Sequence, residues 1–389
     1  MVVVKVLTVF GTRPEAIKMA PVVRALRRRR DIASFVCVTA QHREMLDQVL
    51  DLFGILPDDD LNIMSPGQGL NPLLARMVAA LDPVIEQVKP DRVLVHGDTT
   101  TGLAGALAAF HRGVPVGHVE AGLRTYNLAQ PWPEEMNRRA IDLVSAELFA
   151  PTERSKENLA AERLEGRILV TGNTVIDALK HIEDMLEQHP DLARSLDATL
   201  PRAMEGRKLV LVTGHRRENH GDGLDNICQA LATLASRDDV EIVFPVHLNP
   251  RVKGPVHARL GGLANVRLIG PQEYLPFVRL MQRADVILTD SGGIQEEAPA
   301  LGKPVLVMRD VTERPEAVEA GTAVLVGTSS ARIVAAVGDL LDDADERAAF
   351  AARRNPYGDG HAARRIVQSV CGEPVEEFVI PSTPVRLRA

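Results

Sequence analysis

The stretch RVLVHGDTTTGLAGALAAFHRGVPVGHVEAG, residues 92–122, decides the fold. It opens on an apolar run (92–97), continues through a segment that reads as a helix (99–112), and closes on a second apolar run (114–119). Runs without alternation are strands covered on both faces, and a helix between two of them is the βαβ unit of a parallel sheet. Polar residues gather where the strands stop: Asp98 follows the first, and Glu120 closes the second just before Gly122. In open parallel sheets ligands bind outside the carboxyl ends of the strands. One stretch therefore predicts both the fold class and where to look for a site.

The same rhythm runs along the chain. KVLTVF (5–10) and FVCVT (35–39) read as further strands, with helices over 15–30, 41–53 and 71–88. A second series follows at 209–213, 240–246, 265–270, 285–290 and 304–309. Between the series lies a polar, charge-rich stretch, about 177–206, with no clear strand, and the domain boundary is placed near it. The halves echo each other. LTVFGTRPE (7–15) resembles LVLVTGHRRE (209–218), and LVHGDTT (94–100) resembles ILTDSGG (287–293). The expectation is an α/β protein of two Rossmann-like domains with parallel sheets facing a central cleft, the first over 1–175 completed by 361–389, the second over 176–360.

Bulk properties narrow the function. A chain of 389 residues suggests two domains. The net charge is −7 with basic residues spread along the chain, which argues against a nucleic-acid partner. The longest basic block, Arg27 to Arg30, ends an apolar-periodic segment and reads as a solvated helix C-terminus. Three cysteines, Cys37, Cys228 and Cys371, are widely spaced and lack a CxxC, as expected for buried thiols in a reducing cytoplasm. No stretch approaches the ~18 apolar residues of a membrane span. MVVVKVLTVFG, interrupted by Lys5, reads as a first strand rather than a signal peptide.

Each motif has a plain reading beside a chemical one. GTRPEAIK (11–18) is a strand–helix turn whose N-terminus, with Arg13 and Lys18, suits an anion; it is also an ordinary turn with surface basics. TDSGGIQEE (289–297) puts Ser291, Gly292 and Gly293 at a helix start, as a phosphate cradle would, with Glu296 and Glu297 one turn on to take ribose hydroxyls. A Ser cap with first-turn acids is the alternative. Asp98 either caps the next helix or does chemistry. Glu120 ends an apolar strand, where a carboxylate is costly unless bonded or used. His215, Arg216 and Arg217 stand at a strand end and suggest anion handling. Arg314 could pair with the Ser-Gly-Gly helix acids or with a phosphate. His96, His118, His247 and His257 show no trustworthy metal spacing, and no cofactor is implied. The loop between Glu120 and Glu134 is braced by Pro131 and Pro133 around the only tryptophan. Together these read as acids in one half and a phosphate and ribose cradle in the other, a nucleotide-sugar site with proton chemistry at the sugar.

Beyond the residue-level reading, the chain closely resembles the bacterial non-hydrolysing UDP-N-acetylglucosamine 2-epimerases. The motifs that carry the likeness include KVLTVFGTRPEAIKMAP, TAQHREMLDQVL, VLVHGDTTT, VGHVEAGLRT, PWPEE, TGHRRE, PVHLNP, TDSGGIQEEAPALGKPVLVMRD and NPYGDG. The resemblance implies the glycosyltransferase-B-like architecture, with a C-terminal helix near 361–371 returning to the first domain. It implies interconversion of UDP-GlcNAc and UDP-ManNAc through loss of UDP, a 2-acetamidoglucal, and re-addition on the other face. It assigns Asp98, Glu120 and Glu134 to acid–base work, without settling which serves which face. His215, Arg13 and Lys18 would bind and stabilise the UDP leaving group. Ser291, Gly292, Gly293, Glu297, Arg314 and Gln272 would hold the substrate. Gln41, His42 and His247 match positions associated with a second UDP-GlcNAc that activates. A homodimer, a cytoplasmic location and supply of ManNAc units for surface polysaccharide are also implied. Tyr126 stands where relatives usually have Gly, and Glu44 and Gly67 depart from the Gln and Arg of some members.

Overall fold

The computed structural model describes residues 3–39, 43–64 and 67–380. They fall into two compact units. One takes the described residues up to His181 and from Tyr357 onward; the other is Ile182–Pro356. The division lies a few residues from the expected 175/176 and 360/361. The chain crosses from one unit to the other inside the helix Thr174–Gln188, within the polar stretch 177–206 near which the boundary was expected.

The first unit is built on a parallel sheet of strands β1 (Val4–Phe10), β2 (Ile32–Val38), β3 (Asp59–Asp60), β4 (Arg92–His96), β5 (Val116–Val119), β6 (Glu147–Ala150) and β7 (Arg167–Val170). Their order is β3-β2-β1-β4-β5-β6-β7. The apolar runs became strands because both faces are covered: Val6, Leu7, Val9 and Phe10 of β1 are wholly buried. On one face, Leu73, Met77, Leu81, Val84, Ile85 and Val88 form the helical stripe of Leu70–Val88. They pack with the alanine-rich helix Thr100–His111 over β1 and β4. Gly105 permits that close approach, since a Cβ there would lie 2.9 Å from Val95 Cγ1. β6 and β7 escaped the sequence reading because ELFA and RILV are four residues long and each begins on a charge.

The second unit repeats the design with β8 (Lys208–Thr213), β9 (Val240–Pro245), β10 (Val266–Ile269), β11 (Val286–Thr289), β12 (Val305–Val307) and β13 (Ala323–Leu325). All pairings are parallel, in the order β10-β9-β8-β11-β12-β13. The sequence echo now has a place. β1 and β4 are neighbours at the point where strand order reverses, and so are β8 and β11. The polar stretch 177–206 carries no strand; it holds Thr174–Gln188 and Pro190–Thr199, both helices.

The helix Ala362–Val370 packs on the helix Arg13–Arg27 of the first unit. Arg365 fastens it, with paired 2.7 Å bonds to Asp359 and further bonds to the carbonyls of Thr171 (3.1 Å) and Glu376 (2.9 Å). At its start the Asp177 carboxylate accepts the amides of Ala362 (3.2 Å) and Ala363 (2.9 Å). The basic block behaves as read: the first helix ends at Arg27, and Arg29 pairs with Asp31 and Glu373. Cys37 and Cys228 are buried thiols, whereas Cys371 is partly exposed. No described helix is long and apolar enough to cross a membrane.

Burial pushes the Asp177 carboxyl up to about 6 against the opposing amide bonds, with Asp359 adding to the rise. Its folded value thus exceeds the unfolded one. Between about pH 4 and 6 the unfolded chain ionises here first, so stability falls as pH rises and then levels. Asp177→Asn should abolish that component: the Tm of the variant should gain on the parent's from about pH 4 to 6, and the difference should level above about pH 6.

Candidate active site

Every sequence-predicted site residue that the structure describes lies at or just beyond a strand end or helix start, except Lys18 and Glu297, which sit about a turn and a half into their helices. In the first unit the turn after β1 is ordered by its own side chains. Thr12 caps the helix Arg13–Arg27, and Glu15 completes a capping box. The buried Glu15 carboxylate takes the amides of Gly11 (3.1 Å) and Thr12 (2.8 Å) and the Thr99 hydroxyl (2.7 Å). Burial raises its pKa against these donors. Thr99 belongs to the turn after β4, so Glu15 stitches the two central strand ends together. Arg13 is the first residue of the helix and Lys18 lies a turn and a half along it.

Glu120 follows β5 in a left-handed backbone conformation, φ 67°. Lys18 Nζ donates to its Oε2, and Asn173 Nδ2 donates to the same oxygen at 2.8 Å. His96 Nε2 stands 3.7 Å from it. The side chains of Lys18 and Glu120 are 11% and 9% exposed. Burial drives the carboxyl pKa upward, but the Lys18 ammonium and His96 outweigh it and hold Glu120 well below the usual carboxylate range.

Asp98 occupies the turn after β4. Its carboxylate pairs with Arg138, which also donates to Glu135 at 3.0 Å, and its carbonyl accepts from Asn137 Nδ2 at 2.8 Å. Beneath that turn, His118 Nε2–H donates to the Gly97 carbonyl at 2.7 Å while Nδ1 meets Asp142 Oδ1 at 2.6 Å. Arg124 reaches Asp142 at 2.7 Å and grips Glu162 with two 2.8 Å bonds. Burial pushes Asp142 up, and the neighbouring His118 and Arg124 more than reverse it.

The two acids that follow the Pro-braced loop have separate roles. Glu134, at the first position of the helix Glu134–Val144, has no side-chain hydrogen bond or ion pair to any described residue. Glu135, fully buried, is the structural acid: it accepts the amides of Thr125 and Tyr126, each at 3.0 Å. The loop between contains cis bonds at Gln130–Pro131 and Trp132–Pro133. Tyr126 has φ 57°, the left-handed region that glycine enters freely, and its hydroxyl donates to Asn158 at 3.0 Å. Arg138 and Asp142 escaped the sequence reading, although a signal existed. Glu135, Arg138 and Asp142 occupy the stripe at i, i+3 and i+7 that an amphipathic helix normally gives to apolar side chains.

In the second unit the buried Asp290, after β11, accepts the amides of His215 and Arg216, both at 2.9 Å, and Asn219 Nδ2 at 3.2 Å. It was missed as a site residue, yet it fixes the TGHRRE turn. His215 Nδ1 lies 3.4 Å from Asp290, and the imidazole stacks on His247, centroids 5.7 Å apart. Burial lowers the His215 pKa; Asp290 opposes that, while Arg216 and His247 reinforce it. Ser291 stands at the N-cap of Gly292–Ala300 without making a side-chain cap bond, which weighs against the plain capping reading. Arg314 Nε donates to Glu296 at 2.9 Å, one of the two partners that the sequence left open, and underlies Gly292, where a Cβ would come 3.0 Å from its guanidinium carbon. Glu297 accepts from the Tyr274 hydroxyl at 2.8 Å, and Gln272 donates to the Gly270 carbonyl at 2.8 Å. Gln41 and His42 lie outside the described residues. No cluster of three or more potential metal ligands occurs among the described residues.

The family model described as UDP-N-acetylglucosamine 2-epimerase matches residues 24–371. A relative of that name from Escherichia coli K12 is 58% identical over 368 residues, covering 94% of this chain and 98% of its own length. The chain belongs to the UDP-N-acetylglucosamine 2-epimerase family. It is thus a member of a family of isomerases. Among solved structures, the Neisseria meningitidis UDP-GlcNAc 2-epimerase, bound to UDP-GlcNAc, is 52% identical with a TM-score of 0.89, covering 95% of this chain and all of that one. A Listeria monocytogenes protein described as a UDP-N-acetylglucosamine 2-epimerase is 44% identical with a TM-score of 0.87, covering 97% of this chain and all of that one.

The Lys18–Glu120 pair gives a direct test of these electrostatics. Lys18→Met leaves a buried carboxylate short of its cation, which should cost about 3 kcal/mol. Urea denaturation should show the loss, and adding Glu120→Gln should restore most of it. An additive double-mutant cycle would show that the two side chains do not couple.

Proposed function

We propose that this protein interconverts UDP-GlcNAc and UDP-ManNAc by inverting C2 of the sugar. The observation that carries the reading is full-length membership of the epimerase family together with acids at the family's strand-end and loop positions. C2 has no adjacent carbonyl, so direct proton removal would give an unstable carbanion. Loss of UDP from C1 with the C2 proton gives 2-acetamidoglucal instead, and re-addition on the opposite face gives the epimer.

Asp98, Glu120 and Glu134 are the acid–base groups of this proposal. General acid–base help of this kind contributes ~10²–10⁴-fold. Glu120, ionised by its surroundings, suits proton collection. Glu134, without a protein partner among the described residues, leaves its carboxylate for the substrate. Arg13, Lys18 and His215 would stabilise the departing diphosphate. Ser291, Gly292 and Gly293 would cradle it, with Glu297, Arg314 and Gln272 around the nucleoside. A second, activating UDP-GlcNAc belongs to the same proposal, on the family resemblance at Gln41, His42 and His247. A homodimer, a cytoplasmic location and a role in supplying ManNAc for surface polysaccharide belong to the same proposal.

Incubation with UDP-GlcNAc in D₂O, followed by NMR, tests it. UDP-ManNAc should appear with deuterium at C2 in both sugars. Free ManNAc as main product would mean hydrolysis, and no turnover would mean a transferase or a nucleotide-sugar sensor. Asp98→Asn should abolish exchange while UDP binding by calorimetry stays close to the parent's.

A further inference from the structure

The donors around Glu120 all gather at one of its two oxygens. Lys18 Nζ and Asn173 Nδ2 both donate to Oε2, and His96 Nε2 stands 3.7 Å from it. Oε1 has no hydrogen bond to a described residue. A carboxylate can accept at both oxygens, yet here one is engaged by the protein and the other keeps its lone pairs.

The two donors do different things. Lys18 brings a point charge on a flexible stem, which fixes no direction. Asn173 is short, buried and held at both its backbone and its side chain. It immediately precedes the helix Thr174–Gln188. Its amide donates to the Tyr357 carbonyl at 2.6 Å, and its Oδ1 accepts the Val175 amide at 3.0 Å. The second bond settles which end of the carboxamide is which: an oxygen has to face the Val175 N–H, so the NH2 group has to face Glu120. Ser, Thr or Asp would cap this helix as well as Asn does. None of them would also set an N–H on Glu120, so capping alone does not call for Asn at this position.

We infer that Asn173 is a positioning residue for proton transfer at C2: it pins Oε2 of Glu120, so that Oε1 is the atom that meets the C2 proton. The inference rests on the epimerase reading. When Glu120 acts as base, the C2–H bond breaks toward Oε1, its electrons form the C1–C2 double bond, and the C1–O pair leaves with UDP. Asn173 keeps its own protons throughout and acts on the sugar only through Glu120.

Two variants keep a capping oxygen and remove the donor. Asn173→Ser is too short to reach Glu120, and Asn173→Asp keeps the size but turns an oxygen toward it. Each should lower kcat per UDP-binding site roughly a hundredfold, with KM for UDP-GlcNAc close to the parent's. Counting the sites by calorimetry with UDP separates this from a loss of folded protein. With substrates deuterated at C2, the variants should show an isotope effect on kcat at least as large as the parent's from one epimer, the one whose proton Glu120 takes. A kcat per site like the parent's, a loss confined to KM, or variants without a C2 isotope effect from either epimer overturns the assignment. A parent enzyme that makes no UDP-ManNAc at all overturns the epimerase reading itself, and the role of Asn173 with it.

Discussion

A carboxylate at the end of a buried parallel strand has to find donors, and this requirement organises both halves of the molecule. Desolvation alone would neutralise such a group or expel it. Glu15 meets the demand with two turn amides and the Thr99 hydroxyl. Asp290 does so with the amides of His215 and Arg216. Each lies where strand order reverses, between β1 and β4 or between β8 and β11. The acids that order the turns are thereby distinct from the acids that the turns present.

That distinction separates neighbours of identical chemistry. Glu135 is buried and spent on the amides of Thr125 and Tyr126, whereas Glu134, one residue earlier, has no protein partner among the described residues. Glu296 is held by Arg314 and Glu297 by Tyr274. Asp98 and Glu120 each carry a cation, Arg138 and Lys18. The Lys18 ammonium and His96 hold Glu120 in its charged form against the cost of its burial. The buried chain of His118, Asp142, Arg124 and Glu162 extends this logic inward, because it anchors the Gly97 carbonyl immediately before Asp98.

The strands and helices that position the site were legible because an apolar run in a doubly covered sheet has few alternatives. Residues 92–119 gave β4, β5 and the helix between within two residues at each end. The four-residue strands β6 and β7 were not legible, since a short run starting on a charge reads equally as a loop. Asp98, Glu120 and Glu134 could be picked out by position. Arg138, Asp142 and Asp290 could not be given partners, as these lie 24 to 75 residues away: Arg138 meets Asp98 across 40, Asp142 meets His118 across 24, and Asp290 meets His215 across 75.

Sequence by itself determined the α/β class, the internal echo of two halves, the strand-end placement of the candidate acids and the family, because strand burial, turn chemistry and motif spacing are local properties of the chain. Only the tertiary structure decided which acids are free and which are spent, that Arg314 pairs with Glu296, and that the His96 imidazole lies buried beside Glu120. Those outcomes depend on which distant side chains desolvation brings into the same few ångströms, and no local pattern encodes that.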